Sequence, residues 1–380
     1  MHRTDTLHTS PTALTAGTLY GTLFTPGSGF RLESGITLPA PEIAYTVRGR
    51  LNSEGTNAVL VCHALTGHAH AADARTGSGE TIEGWFNGVI GPSRGLDTER
   101  YCVICSNILG SCYGTTGPVS RNPATGRPYG PDFPAVTVRD MVRAQKLLLD
   151  HIGVRSLEAV IGGSLGGMQV LEWALLYPGM VERIIPIATA AAHSPWAIGI
   201  SETQRLAIMN DPDWQGGHYT AQPERGLAIA RSIAMLSYRS QPSFVARFGR
   251  RTVAPGDGHE RVRLFSETPP EFSVESYLRY QGQKLAGRFD ANTYIALTRA
   301  MDSHDVGAGR GPAHEALGSI RARTLVLGIS SDILYPPAEQ REIADAIPRA
   351  RYAEIDSPHG HDAFLIEFDR MNALIREFLQ

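Results

Sequence analysis

One junction constrains this chain more than any other. The apolar run at residues 157–161 passes into a helix-patterned run at 168–176 through Gly162-Gly163-Ser164-Leu165-Gly166, with no room for a loop. A serine set between glycines as G-x-S-x-G permits a sharp strand-to-helix turn and lifts the serine Oγ to the sheet edge. The N–H of Leu165 then points where an oxyanion would form. A glycine-rich turn with an incidental serine has the same five letters but does not require the flanking strand and helix.

The rest of the chain repeats the theme. Short apolar runs bounded by turn residues occur at 58–62, 101–105, 157–161, 183–187 and 324–329, as buried strands of a largely parallel sheet would. Helical patterns follow at 137–152, where Thr137 and Asp140 are spaced as a capping box, and at 168–176, 337–347 and 362–379. This alternation predicts a doubly wound α/β core.

The rhythm stops between residues 193 and 310, where 201–210, 224–237, 274–285 and 291–301 are helix-patterned and no buried strand intervenes. It resumes at Thr324, so the helices interrupt one domain. The expected organisation is a core of 1–192 and 311–380 with a helical lid inserted at 193–310. The stretch 251–270, rich in Pro, Gly and charge, is expected to be an exposed loop of that lid. Segment 106–134, dense in Gly, Pro, Ser and Asn, is too long for a plain connection, and loops of that length are often functional.

Composition narrows the partners. The 380 residues are 42% hydrophobic and 19% charged with a formal charge of −3, which gives no general attraction to nucleic acid or to an anionic membrane. No segment has the roughly 20 apolar residues of a membrane helix, and residues 1–17 lack the basic start and apolar stretch of a secretory signal. A cytoplasmic enzyme of small molecules is the expectation. Cys102 and Cys105 have C-x-x-C spacing, but no partner pair follows them. They and Cys62 and Cys112 are expected to be ordinary buried thiols, with no metal site.

A serine nucleophile requires a base and an orienting carboxylate, which in this fold class follow it in the order Ser, Asp or Glu, His. Asp332 follows the strand-like run 324–329, with Asp305 the weaker rival. His361 follows the short run 351–355. His359 is close enough that spacing alone does not choose between the two, although Gly360 and the start of the next helix favour His361. Ser164, Asp332 and His361 thus each fall just past a strand on one sheet edge. A second oxyanion donor normally comes from the loop after an earlier strand, here His63-Ala64-Leu65-Thr66-Gly67, which offers the N–H of Leu65. His63 and His304 are expected to be hydrogen-bonded structural or pocket histidines.

The residues resemble a known family, the α/β-hydrolase-fold homoserine O-acyltransferases. The resemblance covers most of the chain and rests on residues 63–67, Asn107-Ile-Leu-Gly-Ser-Cys-Tyr-Gly-Thr-Thr-Gly-Pro118, Gly162-Gly-Ser-Leu-Gly-Gly-Met-Gln169, Ser331-Asp-Ile-Leu-Tyr-Pro336 and Gly360-His-Asp-Ala-Phe-Leu365. It implies Ser164 as nucleophile, Asp332 and His361 as its partners, and Leu65 with Leu165 at the oxyanion hole. It further implies that Arg231 binds the carboxylate and Asp362 the ammonium of the acceptor, L-homoserine. The implied donor is acetyl-CoA, with no bound cofactor and a homodimeric assembly. Arg247, Arg250 and Lys284 are candidates for the CoA phosphates, although solvated surface charge explains them equally well. The chain departs from the family's commonest form at Ser111 and Tyr113, where Gly and Gln are usual. That leaves a succinyl donor or a serine acceptor open, and a carboxylesterase built on the same triad is the rival from another reaction class.

Overall fold

The computed structural model describes residues 18–22, 29–75, 81–253 and 271–380. Eight strands form one sheet: β1 (Leu19–Thr22), β2 (Glu42–Arg48), β3 (Ala58–Cys62), β4 (Cys102–Ser106), β5 (Leu157–Gly163), β6 (Arg183–Ile187), β7 (Arg323–Ile329) and β8 (Ala350–Ile355). They lie in the order β1-β2-β4-β3-β5-β6-β7-β8. From β4 to β8 every pairing is parallel, and only β1 with β2 and β2 with β4 run antiparallel.

The alternation of side chains along a strand sorts the core into two layers. Ala58, Leu60, Ile104 and Val160 face α1 (Val138–His151) and α2 (Leu165–Leu176), against Val142, Leu149 and Trp173. Val59, Val61, Val103 and Ile161 face the other way, toward Met371, Ile375 and Phe378 of the C-terminal helix. Because both faces are covered, the parallel strands read as continuous apolar runs. The same alternation puts Cys102 in one layer and Cys105 in the other, so the C-x-x-C pair cannot close on a single ion. All four cysteines are buried free thiols.

α1 opens with the expected capping box: the Asp140 N–H donates to Thr137 Oγ1 at 3.1 Å and the Thr137 N–H to the Asp140 carboxylate at 3.2 Å. Beneath the serine turn, buried polar groups satisfy one another. Trp173 Nε1 donates to Gln145, Gln145 Nε2 to Gln169, and Gln169 Nε2 to the Leu165 carbonyl, at 2.7, 2.8 and 3.1 Å. Buried Glu172 takes Arg139 at 3.1 Å and Arg310 at 2.7 Å, which ties α1 and α2 to the stretch at 303–312.

Between β6 and β7 the described residues form six α-helices and a 3-10 segment, Pro212–Gly217; the α-helices are α3 (Pro195–Met209), α4 (Glu224–Tyr238), α5 (Gln241–Phe248), α6 (Ser273–Ala286), α7 (Ala291–Asp302) and α8 (Ala313–Gly318). Leu227 and Ala230 of α4 and Tyr294 and Leu297 of α7 pack in one cluster with Leu65, Leu165, Met168 and Tyr335. These helices therefore cover the ends of the strands from which the serine turn projects. α9 (Pro337–Ala346) and α10 (Phe368–Leu379) complete the fold.

Several boundaries differ from expectation. α3 begins six residues earlier than the pattern at 201, because Ser194 caps it and Pro195 fits its first turn. The helix expected over 362–379 is instead a 3-10 segment, Gly360–Leu365, followed by α10, so His361 and Asp362 lie on the tight turn and not on the α-helix. α5 and α8 were not expected. The antiparallel edge β1–β2 also went unseen, because Glu42-Ile-Ala-Tyr-Thr-Val-Arg48 mixes polar and apolar residues. Most of the expected loop at 251–270, and residues 1–17, lie outside the described residues. Among the described residues no helix is long and apolar enough to cross a membrane.

Candidate active site

Ser164 is the single residue between β5 and α2, and its backbone is left-handed, at φ 59° and ψ −127°. Such a conformation costs a non-glycine residue on the order of 1–3 kcal/mol and persists only where its surroundings impose it. The Ser164 N–H donates to the Ile187 carbonyl at 3.0 Å, while its own carbonyl accepts from Thr189 Oγ1 and the Gly167 N–H, both at 2.8 Å. The glycines are sterically required: a Cβ at Gly166 would lie 2.2 Å from the Cys62 carbonyl oxygen, and one at Gly163 would lie 2.7 Å from the ring of Phe364. Leu165 is the first residue of α2, so its N–H is among those a helix leaves without an internal acceptor.

Asp332 sits three residues past β7 and is buried. Its Oδ2 lies 2.8 Å from His361 Nδ1. Its Oδ1 accepts the N–H groups of Leu334 at 2.8 Å and Tyr335 at 3.0 Å, which fixes the plane of the carboxylate. A carboxylate only accepts, so His361 carries its proton on Nδ1 and leaves Nε2 as the basic nitrogen. Burial disfavours the imidazolium, but the Asp332 charge and hydrogen bond, aided by the Asp362 carboxylate, outweigh it, and the His361 pKa lies above the usual value. Phe364 links the two halves of the site: it meets Gly163 beside Ser164, and its ring centroid is 5.6 Å from that of His361.

His359 is not on Asp332. It is half-buried, and its Nδ1 has no partner among the described residues. Asp305 is occupied elsewhere, accepting the Gly307 N–H at 2.7 Å. His63 is fully buried, with Nε2 accepting the Ile108 N–H at 3.1 Å and Nδ1 lying 2.8 Å from the Ala64 carbonyl. Burial, partly offset by its hydrogen bonds, pushes its pKa down to about 4, and burial does the same to His304, to about 3. Both are neutral structural groups at physiological pH. Leu65 occupies a tight turn closed by the Gly67 N–H on the Ala64 carbonyl at 2.9 Å.

Three aromatic rings surround His361: Tyr335 at 5.3 Å, Phe364 at 5.6 Å and Tyr238 at 5.7 Å between centroids. The Arg231 guanidinium, on α4, stands 5.5 Å from the Tyr238 ring centroid. It is half-buried, and among the described residues no carboxylate pairs with it. Asp362, on the histidine turn, faces Arg239 Nε at 3.1 Å. Arg231 and Asp362 thus both lie beside His361 through Tyr238 and the 3-10 turn, and Tyr238 feels both charges.

Sequence reasoning missed Tyr238, Tyr335, Phe364 and Arg239. Tyr335 and Phe364 lie within motifs already singled out at 331–336 and 360–365. Nothing in the sequence around Tyr238 or Arg239 marks them, since only the packing of α4 on the histidine turn brings them in. The Tyr335 hydroxyl continues to His193 Nε2 at 3.0 Å, whose Nδ1 lies 3.1 Å from Asp302, which in turn pairs with buried Arg205 at 2.6 Å. Of the cations considered for CoA, Arg247 stands over Tyr277 at 4.5 Å and Arg250 over Phe272 at 5.3 Å, while Lys284 is exposed.

Comparison with known proteins agrees with this architecture. A family model described as alpha/beta hydrolase fold matches residues 57–368. A homoserine O-acetyltransferase of Moorella thermoacetica is 55% identical over 355 residues, covering 92% of this chain and 93% of that one. The crystal structure of homoserine O-acetyltransferase from Bacillus anthracis is similar with a TM-score of 0.85 at 30% identity over 96% of each chain. Esterase E22 is equally similar in shape, with a TM-score of 0.85 at 29% identity over 96% of this chain and 100% of that one. Shape alone does not separate these two, whereas the identity of 55% to the first relative does. The chain belongs to the homoserine O-acetyltransferase family of the α/β-hydrolase fold.

Proposed function

We propose that this acyltransferase moves an acetyl group from acetyl-CoA to the γ-hydroxyl of L-homoserine through an acyl-serine intermediate, as a step of methionine biosynthesis. Ser164 Oγ gives its proton to His361 Nε2 and attacks the thioester carbonyl, and the oxyanion is held by the N–H groups of Leu65 and Leu165. Collapse expels CoA, whose sulfur takes the proton back from His361. The acceptor hydroxyl then loses its proton to His361, attacks the acyl-serine, and releases O-acetyl-L-homoserine with Ser164 restored. Asp332 holds the imidazole in the required tautomer throughout.

The observation that carries this reading over simple ester hydrolysis is the guanidinium of Arg231. It is half-buried near the catalytic imidazole with no carboxylate partner among the described residues, an arrangement that suits an acceptor bearing its own carboxylate. Asp362 supplies the opposite charge for the acceptor's ammonium, shared with Arg239. Holding the acceptor at both ends raises its effective concentration at the acyl group far above that of a free alcohol, which is how it competes with water. No metal or bound redox cofactor has a part in these steps. We further propose a cytoplasmic homodimer, with the helices between β6 and β7 at its contact.

The test is release of free CoA from acetyl-CoA or succinyl-CoA with L-homoserine, L-serine or no acceptor, and identification of the product by mass spectrometry. Homoserine-dependent release from acetyl-CoA is the expected result. Release that needs no acceptor would make the chain a hydrolase, and a succinyl or serine preference would retain the mechanism with a different substrate. Light scattering of a monomeric mass at micromolar concentration would overturn the dimer.

A further inference from the structure

Arg288 lies between α6 and α7, yet its side chain reaches into the turn that carries Leu65. Its Nη1 donates to the Thr66 carbonyl at 3.0 Å and to the Tyr113 hydroxyl at 2.7 Å, and Nη2 lies 3.5 Å from Thr66 Oγ1. The Tyr113 hydroxyl donates back to the Arg288 carbonyl at 2.8 Å. The Tyr113 ring packs edge-on against His68 and Phe289, at 5.5 and 5.7 Å between centroids. The phenol therefore fits between the guanidinium and the backbone of one residue.

The geometry points to Arg288 as a positioning residue for the oxyanion hole. Peptide units are rigid planes, so a hydrogen bond to one end of a unit aims the other end. Arg288 holds the carbonyl of the Thr66–Gly67 unit, and the Gly67 N–H of that same unit donates to the Ala64 carbonyl at 2.9 Å. Ala64 C=O shares its plane with the Leu65 N–H, the donor assigned to the oxyanion. Two rigid planes thus connect a guanidinium on the helical segment to the direction of that N–H. On the near side, His63 Nδ1 lies 2.8 Å from the same Ala64 oxygen, and His63 is itself held by the Ile108 N–H. The turn is pinned from the core by His63 and from the helical segment by Arg288. A lysine does not replace the arginine here: the bonds to Thr66 and Tyr113 leave the two N–H groups of one nitrogen, Nη1, whose directions the guanidinium plane fixes, whereas an ammonium turns freely on its flexible stem and holds neither direction. This inference rests on the assignment of Ser164 and Leu65 under the proposed function.

The test is the pre-steady-state acylation of the intact protein by p-nitrophenyl acetate, expressed per serine titrated with a phosphonate, in wild type, Arg288→Ala, Arg288→Lys and Tyr113→Phe. Misaiming one donor lowers such a rate on the order of 10- to 100-fold. That loss is expected in both Arg288 variants, with the donor KM little changed, and added methylguanidinium is expected to restore part of it in Arg288→Ala. Tyr113→Phe is expected to show a smaller loss. A rate per titrated serine that stays within about threefold of wild type in Arg288→Ala, full recovery in Arg288→Lys, or no response to methylguanidinium would each overturn the inference. If Arg288→Ala does not fold, Tyr113→Phe decides, and an unchanged rate overturns it. A wild type that shows neither burst nor labelling would overturn the serine assignment itself, a separate outcome.

Discussion

Asp332 divides its two carboxylate oxygens between His361 and its own chain, giving Oδ2 to the imidazole at 2.8 Å and Oδ1 to the N–H groups of Leu334 and Tyr335. The carboxylate cannot rotate away from the histidine without breaking two backbone hydrogen bonds. Replacement by asparagine keeps the shape but offers the wrong group to Nδ1. Asp332→Asn is expected to lower kcat by about 10³- to 10⁴-fold while leaving the melting temperature close to wild type. A fall of less than about tenfold would remove Asp332 from the triad.

The same pair sets the pH dependence. In the proposed mechanism His361 is a neutral base, and its pKa is raised in the fold, so kcat/KM is expected to rise with pH along a limb centred above the ordinary histidine value of about 6.5. In Asp332→Asn burial remains and the opposing charge is gone, so the residual activity should show the limb displaced to lower pH. The stability linkage has the matching sign. A raised folded pKa stabilises the protein below the unfolded pKa, and that contribution disappears as pH rises through the folded one. Urea unfolding of wild type and Asp332→Asn across this range measures it. A limb that does not move between the two enzymes would refute the assignment.

The backbone strain at Ser164 is separable from its chemistry. Ser164→Ala and Ser164→Gly both remove the proposed nucleophile, and both should abolish acyl transfer. Only glycine relieves the φ of 59°. The glycine variant should be more stable than the alanine variant by roughly 1 kcal/mol, the strain released less the added entropy of its unfolded chain. Equal unfolding midpoints would mean that the turn is not strained.

Contact between Gly163 and Phe364 should be visible as coupling. Gly163→Ala forces a methyl to within 2.7 Å of the ring and is expected to cost about 1–3 kcal/mol. Adding Phe364→Leu should return part of that loss, so the double-mutant cycle has an interaction term of the opposite sign. Additive losses would show that the two segments do not pack as described. Gly166→Ala has no such remedy, because its methyl meets a backbone carbonyl at 2.2 Å.

Arg231→Gln tests the acceptor site alone. A hydrogen bond to a charged group contributes roughly 1.5–3 kcal/mol, so the KM for L-homoserine should rise on the order of 10- to 100-fold. Acylation by p-nitrophenyl acetate, which has no carboxylate to bind, should stay near the wild-type rate. Equal losses for both reactions would place Arg231 in the scaffold and not on the acceptor.

Much of this architecture was legible in the sequence for a physical reason. Strands buried on both faces have no polar alternation to confuse them, so β3, β5, β6 and β7 stand out as short apolar runs. The serine turn was legible because close backbone approach at Gly162 and Gly166, where a Cβ would lie 2.7 and 2.2 Å from the Cys62 carbonyl oxygen, requires glycine. What stayed hidden depends on tertiary contact. The break between the 3-10 turn and α10 at Ile366 leaves the apolar spacing of 362–379 nearly unbroken, so the pattern reads as one helix. Tyr238 and Arg239 enter the site only because Gly360 has no Cβ and lets the end of α4 approach: one built there would lie 2.8 Å from the Arg239 carbonyl carbon. The choice of His361 over His359 likewise required the position of Asp332.

The four cysteines give the molecule a property of practical use. Cys62, Cys102, Cys105 and Cys112 are 0%, 2%, 2% and 7% exposed, and burial pushes every one of their thiols up, Cys112 to about 12. In the native state they are neither reachable nor ionised, so a thiol-reactive dye finds nothing on the enzyme to react with. When such a dye is added during turnover, the colour that develops comes from the thiol leaving the donor. The four protein thiols register only if the chain unfolds, so the same dye also reports loss of the native state as a late, stoichiometric rise.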